Sequence, residues 1–356
     1  MAAKKKILKK QTRVKSSILT VKKTFTALRN RNRAYLSRRP HRSFRRTRRR
    51  DYVRSLQLPG YWAFTFYVRK LLLQNRKTFL LLALVYAVIT GVMVGIASQD
   101  TYTVLTDTLR QTGSDVFQGN LGEIGKAGLL FITATSGGLS QTLTEVQQVY
   151  AGLIALLTWL TTVWLLRNLL AGHKVKLRDG LYSASAPLLS TFIVALVLVV
   201  QLLPLALALI GYSAAIASGL LDGGVESMLF WIVAGMLGTL SLYFITSTLI
   251  ALVVVTLPGM YPARALKTAG DLVIGRRIRV LLRILWLALS VTVSWLIVMI
   301  PIILLDTWIK GLWPVIQWLP IIPLTLLGLS SLTVVWSASY IYLLYRKVVA
   351  DDAEPA

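Results

Sequence analysis

The chain has no cysteine and only two histidines, His41 and His173, in 356 residues. That excludes disulfides, thiolate nucleophiles and cysteine-based metal sites, and leaves no set of imidazoles for a metal centre. Acidic residues are also few, 14 against 40 Lys and Arg, giving a formal net charge of +26. No P-loop, GxSxG elbow or HExxH pair occurs, so the sequence names no catalytic residue, metal ligand or cofactor. Apolar residues, by contrast, make up 55% of the chain, and mean hydropathy is +0.63. High hydropathy together with a large positive charge describes an integral membrane protein carrying a basic appendage.

That appendage is residues 1–56, which hold 21 of the Lys and Arg and a single acid, Asp51. Ile18, Val21, Phe25 and Leu28 recur at helical spacing, predicting a basic amphipathic helix over 17–29. The following RRPHRSFRRTRRR is too charged and too poor in apolar residues to fold alone, so the arm reads as largely disordered. No apolar segment of the secretory-signal type follows its first basic cluster. Arg45, Arg46, Arg48, Arg49 and Arg50 are the densest run and the candidate polyanion-binding residues. Anionic headgroups attract such a segment, and so does RNA or a ribosome. Tyr35, Phe44 and Tyr52 lie among the arginines, where rings stack on unpaired bases.

Residues 57–348 read as the membrane domain. Pro59-Gly60 ends the arm. Tyr61, Trp62, Phe64, Phe66 and Tyr67 then meet Arg69, Lys70, Arg76 and Lys77, a composition suited to a helix at headgroup level. Six apolar runs follow, at about 79–98, 148–167, 186–211, 228–257, 284–305 and 321–345. Each is long enough to cross about 30 Å of hydrocarbon. The expected fold is therefore all-α: a polytopic membrane bundle of six transmembrane helices, with interfacial amphipathic helices and a short acidic tail over 349–356. With the N-terminus inside, the inner flanks beyond residue 56 hold 16 Lys and Arg and the outer segments hold three. The positive-inside rule then predicts both termini in the cytoplasm and the inner membrane as the location. Ala127 to Thr135 is apolar but too short to span, so it reads as re-entrant or interfacial. Trp308, Trp313 and Trp318 read as an outer aromatic belt.

The segment between the fourth and fifth runs is the most informative. Pro258 and Pro262 bracket a break, and Pro262 suits the first turn of a new helix. Ala265, Leu266, Ala269, Leu272 and Val273 then predict an amphipathic helix over 262–273. Gly275 interrupts it. Arg276, Arg279 and Arg283 follow at i, i+3 and i+7, a row placed either as topology anchors or as contacts for headgroup phosphates. Lys174 and Lys176, in the other inner loop, are the companion candidates. That loop, HKVKLRDGLY, also stands between two apolar runs, the second bearing Pro204, while the fifth run bears Pro301. The two units suggest a parallel duplication. Asp179 and Asp271 occupy comparable places and are expected to pair with neighbouring cations.

No charged residue falls within the interior of the six runs; Arg167 ends the second and counts among the inner flanks. Gln201, Thr158, Thr161, Thr162, Ser241, Thr246, Ser247, Thr248 and Ser294 are the polar side chains within them. Hydrogen bonding between helices is the ordinary use of such residues, and a transport path the alternative. Gly235, Gly238 and Ser241 at i, i+3 and i+6 suggest close helix packing.

The stretch TLPGMYPARALKTAGDLVIGRR, residues 256–277, resembles multi-span bacterial proteins grouped around the membrane domain of glycerophosphodiester phosphodiesterases and the YciC-like family. The resemblance covers roughly 60–348 and rests on a Pro…Ala-Leu…Ala…Leu…Gly spacing between two spans. It implies a membrane bundle and not phosphodiesterase activity, which in those enzymes belongs to a separate soluble domain. The expected function is a non-catalytic membrane scaffold or interaction protein whose arm engages anionic lipid or another polyanion. The alternatives are a permease or channel subunit for an uncharged or amphipathic solute, a lipid-metabolism enzyme, and a ribosome-linked insertion factor. No protein partner or oligomeric state is legible.

Overall fold

The computed structural model describes residues 26, 30, 58–94, 144–221, 223–313 and 319–353. The chain divides into two compact units, Met1–Arg54 and Ser55–Ala356. In the first, Thr26 and Asn30 are described, both helical. The rest of the predicted arm helix, the arginine run Arg45 to Arg50, the segment Ala127 to Thr135 and Trp318 lie outside the described residues.

The second unit is all-α among its described residues: α1 (Tyr61–Gln74), α2 (Arg76–Met93), α3 (Glu145–Leu170), α4 (Leu177–Ala184), α5 (Leu188–Ala217), α6 (Gly224–Val254), α7 (Pro262–Val273), α8 (Arg277–Leu312) and α9 (Ile321–Ala353). Six of them, α2, α3, α5, α6, α8 and α9, are long and apolar enough to cross a membrane. This is a multi-pass helical membrane protein. The long helices follow the six apolar runs and mostly overrun them. One difference concerns α8, which continues past 305 to Leu312 and so carries Asp306 as a helical residue. Asp306 is 1% exposed and pairs with Lys310 one turn on, at 2.9 Å.

α9 is the hub and packs on α1, α2, α3, α6 and α8. Its half nearer the C-terminus supplies Ala338, Tyr340, Ile341, Leu343 and Leu344 to the main core, with Leu165 and Leu166 of α3 and the run Ile250 to Val255. The α5–α6 pair is the most extensive contact, yet outside it α5 is mostly exposed and apolar. That exposure is what lipid solvent permits: apolar side chains need no burial there, whereas backbone polar groups must be satisfied within the helix.

The two short helices each lie back on the span before them, α4 on α3 and α7 on α6. A Cβ at Gly180 would approach the Leu165 side chain to 3.0 Å, so the bare glycine lets α4 sit close. α7 begins and ends where the sequence places it. Pro262 occupies its first turn, and Gly275, at φ +80°, turns the chain into α8 through a conformation that other residues resist. Ala265, Ala269 and Val273, one helical turn apart, are fully buried, so the small-residue stripe of α7 packs on protein.

The polar side chains within the spans divide into two groups. Thr158, Thr162, Thr246, Ser247 and Ser294 donate to carbonyls of their own helices, which satisfies the hydroxyl without a partner helix. Between helices, the Tyr86 and Thr161 hydroxyls lie 2.9 Å apart. Thr248 donates to the Gln201 side-chain oxygen at 2.6 Å, and Ser241 donates to the Gln201 main-chain oxygen at 2.8 Å. Gly238 faces Leu205 in ordinary contact, while Gly235 meets open space, so only part of the glycine pattern serves the α5–α6 packing.

Candidate anion-binding face

The ends of α3, α8 and α9, the turn after α6 and the start of α1 meet around arginine side chains. Arg276 is 2% exposed and donates to the Val348 carbonyl of α9 at 3.4 Å. Arg277 donates to the Tyr243 carbonyl of α6 at 3.2 Å, and its guanidinium lies 3.7 Å from the centroid of the Tyr243 ring. Arg283 is 6% exposed, donates to the Pro59 carbonyl, and sits 4.1 Å from the Tyr61 ring centroid. Trp286, one turn below, donates from its indole N–H to Thr65 at 3.0 Å and packs edge-on against Trp62. Arg276 and Arg277, next to the Gly275 turn, and Arg283, two turns into α8, thus bind α9, α6 and the start of α1 respectively. A planar guanidinium suits this role because it can donate to a carbonyl and lie on a ring at once.

Of the sequence row Arg276, Arg279 and Arg283, only Arg279 is therefore exposed. The row does not present three guanidiniums to one ligand. Its helical spacing is real, but α1 folds back over Arg283 and the end of α9 covers Arg276, which periodicity along one helix cannot reveal. Lys174 and Lys176 are both exposed on the linker before α4. The Lys176 main-chain N–H donates to the Asp179 carboxylate at 3.2 Å, so this aspartate caps α4. Arg178, Arg264, Lys267, Arg346 and Lys347 are exposed as well.

A cavity of about 470 Å³ opens between α3, α4, the start of α5 and the turn over 255–260. Arg167 is its charged residue, with Asn168, Ser183, Ser190 and Thr256 as polar neighbours. Arg167 reaches the Thr256 carbonyl at 3.5 Å, which ties the end of α3 to the end of α6. Asn168 donates to the Trp164 carbonyl at 2.9 Å. In the sequence Arg167 is one of the 16 basic residues of the inner flanks. A lone arginine ending a span, opposite a Pro-Gly turn, was the available signal. Such a cavity can accept a small anionic or polar group. Among the described residues no group of three His, Asp or Glu converges as a metal site.

No family model, no curated protein and no solved structure matches this chain.

Proposed function

We propose that the protein is a non-catalytic inner-membrane scaffold whose basic surfaces, the arm over 1–56 and the exposed Lys and Arg of the inner loops, hold anionic lipid on the cytoplasmic side. The observation that carries the reading is the distribution of charge. The arm holds 21 Lys and Arg against one acid, and beyond it the inner flanks hold 16 against three in the outer segments. Orientation requires only a few basic residues near the membrane. A further excess of this size increases self-repulsion unless a polyanion offsets it.

The structure adds support of a narrower kind. Arg276, Arg277 and Arg283 hold helices together, while Lys174, Lys176, Arg178, Lys267 and Arg279 remain at the surface. The hydroxyls of Thr158, Thr161, Thr162, Thr246, Ser247 and Ser294 bond within their own helices, and Gln201 is engaged by both Ser241 and Thr248. That arrangement favours a packed scaffold over a polar route for solute.

The test uses the full chain in nanodiscs of neutral lipid and a variant with Arg45, Arg46, Arg48, Arg49 and Arg50 replaced by Gln. Binding to phosphatidylglycerol vesicles and to RNA is measured between about 50 and 200 mM salt. The reading expects vesicle binding that falls with salt and weakens in the variant. Preference for RNA at equal ionic strength moves the function to ribosome or transcript contact. Absence of both overturns it.

A further inference from the structure

A second cavity, of about 620 Å³, is bounded by α1, α2, α8 and α9. Its volume lies within the range that holds an organic ligand. Arg69 and Arg76 line it from the two sides of the α1–α2 elbow at Asn75, and α8 and α9 supply walls that include Trp295, Leu332 and Trp336. Two features set this cavity apart from the first.

The walls show carbon although they contain polar residues. The Trp295 indole N–H donates to the Thr333 hydroxyl at 2.8 Å, and that hydroxyl donates to the Leu329 carbonyl at 2.8 Å. The Ser294 hydroxyl donates to the Ser290 carbonyl at 2.7 Å. Each of these donors is therefore already committed within the protein. The two arginines, in contrast, are exposed and have no carboxylate partner among the described residues. Both arginines line the cavity, while the lining of α9 runs from Trp336 to Leu329, about 10 Å of helical rise. An occupant that complements both features has an anionic group joined to an apolar chain. A free anion leaves the apolar wall unused, and a neutral chain leaves the cations unused.

We propose that this groove holds one anionic phospholipid of the surrounding membrane, with its phosphate on Arg69 and Arg76 and an acyl chain against α8 and α9. The proposal deepens the lipid-binding reading by naming a single site, and it does not involve the arm.

The experiment titrates the detergent-purified full chain with phosphatidylglycerol or phosphatidylcholine and counts bound lipids by native mass spectrometry. One phosphatidylglycerol should bind above the statistical background. The double variant Arg69→Gln, Arg76→Gln should weaken it on the order of 30-fold while leaving phosphatidylcholine unchanged. Leu332→Trp, which fills the groove, should weaken both. Inorganic phosphate should not compete at equal concentration. Unchanged phosphatidylglycerol binding in the arginine variant, or full competition by phosphate, overturns the proposal. Because Leu332→Trp can disturb folding, a phosphatidylglycerol with a photoreactive chain end is also used on the unaltered protein. It should label 291–295 or 329–336 in preference to α5, whose exposed surface is the control for unspecific lipid contact. Equal labelling of α5 contradicts a defined site. The arm variant should keep this lipid even where it loses vesicle binding, and loss of the lipid there would assign it to the arm instead.

Discussion

Ser241 of α6 stands between two backbone groups next to Gln201 and Pro204 of α5: its hydroxyl donates to the Gln201 carbonyl at 2.8 Å and accepts the Leu205 N–H at 3.1 Å. In a regular helix that carbonyl and that N–H pair with each other across one turn. Pro204 lacks an N–H, and its ring crowds the preceding turn, so this stretch of α5 is where the ladder is weakest. A hydroxyl from the neighbouring helix meets the need of both groups where there is no water to do so.

Ser241→Ala should therefore destabilise the bundle by about 1–2 kcal/mol, measured by thermal unfolding in detergent. On a Pro204→Ala background the same change should cost less, because a regular rung can then form. Equal costs on both backgrounds would show that the serine acts by packing alone.

Arg283→Met should release the start of α1, because the Pro59 carbonyl and the Tyr61 ring both lose the guanidinium. The expected loss is about 2–4 kcal/mol. Proteolysis near residues 58–62 and altered fluorescence of Trp62 and Trp286 report the release. Arg283→Lys should restore little, since an ammonium is a point charge without the planar fork. Full rescue by lysine would reduce the contact to simple charge.

Gly275→Ala should cost about 1–2 kcal/mol, because the residue holds φ +80° between α7 and α8. Gly270→Ala in α7 is the control: nothing lies within 4 Å of its added Cβ, and helix propensity favours alanine. A similar loss at both positions would remove the turn from the explanation.

Much of this fold was legible because lipid as solvent leaves a plain signal: six apolar runs became six long helices. α7 was legible to its end residues, since Pro262 starts it and Gly275 stops the chain soon after. The helix beginning at Tyr61 also lay where a cluster of aromatic residues meets basic ones. Partnerships between helices were not legible. Gln201 and Ser241 are 40 residues apart, and nothing in either run specifies the other. For the candidate site the same limit applied to Arg276 and Arg283, whose burial depends on α9 and on the chain before α1. Asp306 lies just past the fifth apolar run, which stops at 305, but α8 continues through it and Lys310 offsets its charge. The arginine pair of the α1–α2 elbow was read only as an interfacial flank, since the groove it rims is made by α8 and α9, more than 200 residues onward.

The proposed function requires that the exposed basic residues Lys174 and Lys267, on two different loops, lie on one side of the membrane. Substituted cysteines test it most directly, because the chain has no native cysteine. Glu145→Cys and Glu226→Cys, exposed at the starts of α3 and α6, are compared with Lys174→Cys and Lys267→Cys, exposed before α4 and in α7. An impermeant thiol reagent applied to intact bacterial spheroplasts should label the first pair, and should reach the second only after lysis. Labelling of Lys174→Cys or Lys267→Cys in intact spheroplasts would contradict the account.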